Sequence, residues 1–226
     1  MNVGYRPDKL VLFDWNGVLD TTDFEHDYNY QQLMRDSVRY AFDLFPHITE
    51  DDIWREINKV EYFTLNHDAP NETMYKLQLA DKFARMFDGC IDPNLQVRKF
   101  IKFHLSHMKY IPYYKDVALL EYDVKKWCKV GICSDLAWID HQRLKLQIDT
   151  EMLDYAFLSY EIMKTKAAGD IFEYIEEMTK MKGESILLID DTQFCCDQAA
   201  KFGWKAYRCH RGDVSGMKVA IRDFLS

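Results

Sequence analysis

The chain has 226 residues, 48% hydrophobic and 29% charged, with a formal net charge of −8. That leaves room for one large domain, or one domain carrying a smaller insert, around a sizeable core. The acidic balance, with no basic block, argues against nucleic-acid binding, and no stretch reaches the roughly eighteen apolar residues of a membrane span.

In chain order, the run Leu10-Val11-Leu12-Phe13 is short, apolar and bounded by turn signals, which predicts a fully buried strand ending at Asp14. Gly17 follows within Trp15-Asn16-Gly17, where a glycine admits backbone conformations closed to other residues. From about Phe24 to Phe45, apolar residues recur at three- and four-residue steps and predict an amphipathic helix stopped by Pro46. Thr49 and Asp52 resemble a capping box for a second helix reaching about Leu65. A third runs from about Glu72 to Phe87 and ends at Gly89, and a fourth starts near Pro93. Four helices without an intervening strand predict a small bundle whose aromatic stripes form its core.

From Lys115 the pattern alternates. Helices are expected at Lys115–Trp127, Leu136–Leu146, Ala168–Met181, Phe194–Phe202 and Val214–Phe224. Strands are expected at Lys129–Ser134, Tyr155–Ser159, Ser185–Ile189 and Lys205–Arg208. This order predicts an α/β fold: a Rossmann-like parallel sheet core with right-handed crossovers. The helical bundle is then an insert, giving a core from residues 1–20 and 110–226 and a helical cap from residues 21–109. The six cysteines, Cys90, Cys128, Cys133, Cys195, Cys196 and Cys209, show no CxxC pair and no zinc-like spacing. With no signal-like start, a cytoplasmic protein with free thiols is expected.

Asp14, Ser134, Lys166 and the Asp190-Asp191 pair fall at strand ends or in an adjoining loop. In a parallel sheet the carboxyl ends share one edge, so these groups can meet in one cleft. Three clustered carboxylates repel one another, and a hard divalent cation relieves that; all-oxygen ligation suits Mg²⁺. A carboxylate nucleophile beside Mg²⁺, an ammonium and a hydroxyl is equipment for phosphoryl transfer through an aspartyl-phosphate.

Four ordered segments resemble the motifs of the haloacid dehalogenase-like (HAD) hydrolases, in the subfamily with a helical cap after the first motif. They are FDWNGVLD, VGICSD, SYEIMKTKAAGDIF and ILLIDDTQFCCDQAAKFGW. The resemblance implies that Asp14 is the nucleophile. It implies Mg²⁺ ligation by Asp14, the backbone carbonyl of Asn16 and Asp191, with Asp190 direct or through water. Ser134 and the amides after Asp14 would hold phosphoryl oxygens, and Lys166 would neutralise charge and orient Asp14. The substrate implied is a small phosphorylated molecule.

One position departs from the pattern. Most phosphatases of this family carry a second Asp, as general acid and base, where this chain has Asn16. An amide donates a hydrogen bond but transfers no proton, and general acid–base catalysis contributes about 10²–10⁴-fold. Turnover of ordinary alkyl phosphates should therefore be slow, and Asn16→Asp is expected to restore a donor. DWNG is also similar to the Asp-Trp-Ala-Gly of phosphonoacetaldehyde hydrolases, which use a cap lysine; Lys59, Lys76 and Lys82 are the lysines to consider. Two further readings stay open: hydrolysis of a C–P or carbon–halogen bond, and a catalytically weak protein that binds a phosphorylated ligand or a partner.

Overall fold

The computed structural model describes residues 4–19, 30–42, 71–87, 92–108, 122–210 and 212–226, with isolated positions 49, 51, 55 and 120. Its centre is β1 (Arg6–Phe13), whose last four residues are fully buried. β1 pairs in parallel with β2 (Cys128–Ser134) on one side and β4 (Ile186–Asp190) on the other. β3 (Tyr155–Leu158) and β5 (Lys205–Arg208) close the five-stranded parallel sheet in the order β3-β2-β1-β4-β5. A strand flanked on both edges and covered on both faces must be apolar throughout, which is why the central segments read as continuous hydrophobic runs.

The strand period of two divides those runs between two cores. Val11, Phe13, Val130, Ile132, Leu187 and Ile189 pack with Met217 and Ile221 of the last helix, Val214–Leu225. Leu10, Leu12, Ile186 and Leu188 face Ile171, Phe172 and Ile175 of α6 (Asp170–Thr179). The strand expected to reach Ser159 ends at Leu158, and Ser159 opens the single-turn helix α5 (Ser159–Ile162). Its hydroxyl instead bridges to the backbone of Leu136, accepting from the amide and donating to the carbonyl.

Between β1 and β2 lie α1 (Tyr30–Phe42), α2 (Glu72–Phe87) and α3 (Pro93–His107). α3 starts where the sequence suggests, with Pro93 in its first turn and the Asp92 carboxylate accepting from the amides of Asn94 and Leu95. The three helices share a core of Met34, Val38, Phe42, Tyr75, Leu79, Phe83, Val97, Phe100 and Ile101. That core continues into Ala137 and Ile139 at the start of α4 (Trp138–Gln147), and Tyr75 meets Trp138 with ring centroids 5.6 Å apart. The helix expected from Thr49 to Leu65 falls almost wholly outside the described residues. Of the one expected from Lys115 to Trp127, positions 120 and 122–124 are helical and 125–127 form a turn, the remainder lying outside the described residues. Among the described residues no helix is long and apolar enough to cross a membrane, and the five described cysteines are free.

Candidate active site

The carboxyl edge of the sheet gathers the sequence-predicted residues. Asp14 follows β1, and its amide still donates to the Ile189 carbonyl at 2.8 Å, so sheet pairing fixes its backbone. Ser134 closes β2, and its hydroxyl donates to Asp14 Oδ1 at 2.6 Å. The Trp15 amide donates to the same oxygen at 2.8 Å. Lys166, on the loop before α6, brings Nζ within 3.0 Å of Asp14 Oδ1 and 2.5 Å of Asp190 Oδ2. Asp190 closes β4, and its Oδ1 accepts from the Thr192 amide at 2.8 Å.

Asp191 is seated by Gly17. There φ is +77°, and a Cβ would stand 2.2 Å from Asp191 Oδ2, so glycine is needed both for the turn and for the approach. Asp14, Asp190 and Asp191 offer ligand oxygens that all lie within 4.8 Å of one another. Burial is the largest influence on Asp14 and pushes its pKa to about 7, with Asp190 and Asp191 adding to the rise and Lys166 and Ser134 opposing it. Asp191 is also raised, first by burial and then by Asp190. For Lys166 burial alone would lower the pKa, yet Asp14, Asp190 and Asp135 together hold it well above the ordinary lysine range. The ammonium therefore stays charged and neutralises part of the cluster.

Three further residues shape the site without having stood out in the sequence. Asp135 accepts from the amides of Lys166, at 2.9 Å, and Ala167, which ties the lysine loop to the end of β2. Arg143, buried on α4, donates from Nη2 to Asn16 Oδ1 at 3.2 Å and lies over the Trp15 ring at 4.3 Å from its centroid. Gln147, one turn on, accepts from Trp15 Nε1 at 2.8 Å. The adjacency of Asp135 to Ser134 was a usable signal. Arg143 carries no such signal: Ile139, Arg143 and Gln147 recur at four-residue steps, but it is the fold that buries Ile139, Arg143 and Leu144 on this helix.

Of the lysines considered for a Schiff base, Lys76 is ion-paired with Glu72 on the surface of α2, and Lys59 lies outside the described residues. Asn16 is close to the cluster in sequence, but its side-chain oxygen is turned to α4 rather than to the acidic groups.

No family model matches the sequence, and no curated protein is similar to it in sequence. Solved structures are similar. A HAD-family enzyme from Bacteroides thetaiotaomicron superposes with a TM-score of 0.67 at 17% identity, over 95% of this chain and 98% of that one. The fold is that of the HAD enzymes. The same Bacteroides protein in complex with magnesium and inorganic phosphate gives 0.63 at 17% identity, over 92% and 98%. The L-2-haloacid dehalogenase from Xanthobacter autotrophicus gives 0.57 at 16% identity, over 93% and 80%. At these identities the likeness is one of fold, and the chemistry of this HAD-fold protein rests on its own side chains.

Proposed function

We propose that the protein is a Mg²⁺-dependent hydrolase of small phosphorylated molecules that works through a covalent phosphoryl group on Asp14. The observation that carries this reading is the cluster itself: three carboxylates within 4.8 Å, a buried ammonium on Asp14 and Asp190, and a hydroxyl donor, Ser134, on Asp14. The donor set fits a hard cation. Asp14, Asp191 and the Asn16 backbone carbonyl would hold Mg²⁺, with Asp190 supporting from behind because its two oxygens already accept from Lys166 and Thr192. The ion, when bound, would draw negative charge off the phosphoryl oxygens.

The chain's own groups would do the rest. Ser134 Oγ, Lys166 Nζ and the Trp15 amide now converge on Asp14 Oδ1, and the same donors are placed to hold oxygens of an entering phosphoryl group. Oδ2 then attacks phosphorus and the ester oxygen departs. Water hydrolyses the acyl phosphate, releasing inorganic phosphate and restoring the carboxylate. The block α1–α3, as a cap from residues 21–109, would close over this edge and exclude water. A carbon–halogen substrate needs no cation, so it leaves the Asp190-Asp191 pair unexplained.

p-Nitrophenyl phosphate tests the reading, because its leaving group needs little protonation. We expect release that requires Mg²⁺, stops with a chelator, and falls to background in Asp14→Asn. Release that ignores both the metal and Asp14 would overturn it.

A further inference from the structure

α4 places Arg143 and Gln147 one turn apart on one face. Trp15 is clamped by both: its Nε1 donates to Gln147 Oε1 at 2.8 Å, and the Arg143 guanidinium covers its ring at 4.3 Å. The next residue, Asn16, accepts from Arg143 Nη2 at 3.2 Å. A guanidinium has donors only, so the amide must present its oxygen to α4; the flipped amide would set NH₂ against NH₂. The two N–H groups of Asn16 are therefore aimed away from α4. The whole contact is held in place, since Trp15 is fully buried and Arg143 is 1% exposed.

We infer that Arg143 is a positioning residue that fixes Asn16 as a hydrogen-bond donor to the leaving group, which narrows the substrates to phosphate esters whose leaving oxygen is stable as an anion. The inference rests on the proposed hydrolase reading. In the first step Asp14 Oδ2 forms the bond to phosphorus, the bond from phosphorus to the ester oxygen breaks, and that oxygen takes both electrons. Asn16 Nδ2 donates a hydrogen bond to the departing anion and keeps its proton. In the second step the water oxygen bonds to phosphorus, and the bond from phosphorus to Asp14 Oδ2 breaks with both electrons returning to the carboxylate. One water proton stays on the phosphate and the other goes to solvent, so the products are the alcohol-derived anion, inorganic phosphate and one proton. The hydrogen bond from the guanidinium polarises the amide and strengthens its N–H donors.

Kinetics of p-nitrophenyl phosphate and phenyl phosphate, which differ in how badly the leaving oxygen needs help, separate positioning from support of the fold. The variants are Arg143→Met, Arg143→Lys, Asn16→Ala and Arg143→Met with Asn16→Ala, with Asp14→Asn as the inactive reference. We expect Arg143→Met to lower kcat on phenyl phosphate about 10-fold, to lower it less on p-nitrophenyl phosphate, and to leave KM nearly unchanged. Lysine should recover part of the loss, because an ammonium also donates. In the Asn16→Ala background, removing Arg143 should cost nothing further, since the group it acts through is gone. Equal losses on both esters, or the full loss again in the Asn16→Ala background, would show that Arg143 only supports the fold and would overturn the inference. Should Arg143→Met not fold, Arg143→Gln takes its place in the same comparison. Failure of the unaltered protein to turn over either ester overturns the hydrolase reading itself, which additive losses would leave standing.

Discussion

Asn16 and Arg143 lie 127 residues apart in sequence, and their contact changes what a carboxylate at position 16 can do. From sequence alone, Asn16→Asp adds the missing proton donor. In the structure the new carboxylate would meet a buried guanidinium, which favours the ionised form and withholds the proton. Asn16→Asp alone should therefore gain less than about 3-fold on an alkyl phosphate, whereas Asn16→Asp with Arg143→Met should gain about 10²-fold, within the range of acid–base catalysis. Steady-state kcat/KM on glycerol phosphate decides it, and a large gain in the single variant would refute the argument. At this scale Asp14, Ser134, Lys166 and Asp190-Asp191 were legible because strand ends mark the edge where they meet. Arg143 was not, because an arginine on a helix is ordinarily a surface residue, and only the fold shows that this one is covered.

Among the elements, β1, β2 and β4 were legible as apolar runs because both of their faces are buried. β5 is an edge strand, with every residue at least partly exposed, so it carries no continuous apolar run. α4 was placed correctly to within two residues at its start, but its role was hidden. It touches the bundle through Ala137 and Ile139 and the site loop through Arg143 and Gln147, so polar residues sit inside its buried face. The loop before α6 is likewise organised by a side chain on a distant element. Asp135 holds two of its amides, and Asp170 accepts from a third, that of Thr165, at 2.9 Å. Asp135→Ala leaves two amides without their acceptor, which should cost about 1–3 kcal/mol in urea unfolding. It should also release Lys166 from its fixed approach to Asp14 and lower turnover about 10-fold or more. Asp135→Asn keeps an acceptor and should fall between the two. Wild-type stability in Asp135→Ala would show that the loop is held by its other contacts.

In the molecule as a whole, the cleft is a site of stored cost that a cation can relieve. The unfolded Asp14 carboxyl has its ordinary pKa of 3.8 and the folded one about 7, raised chiefly by burial. The folded chain thus binds more protons than the unfolded chain between those values, so stability from this group falls as pH rises through that window and stays low above it. Asp191 is raised in the same sense, which adds to the trend. Mg²⁺ binds the ionised carboxylates, so it should stabilise the protein most where the cost is fully present, near pH 8, and least near pH 5.5, where protons compete for the same oxygens. At a concentration of about 100 times its dissociation constant, it contributes about 2.7 kcal/mol. For a chain of this size that is a rise in Tm of roughly 5–10 °C. Asp14→Asn should melt higher than wild type at pH 8 without metal, because it removes the buried charge, and should respond to Mg²⁺ weakly. Asp191→Ala should lose the Mg²⁺ response. Thermal melts of the three proteins at both pH values, with Mg²⁺ and with chelator, check every part of this. A Mg²⁺ shift of equal size at pH 5.5 and pH 8, or one that survives in Asp191→Ala, would place the cation away from the cluster that the sheet edge assembles.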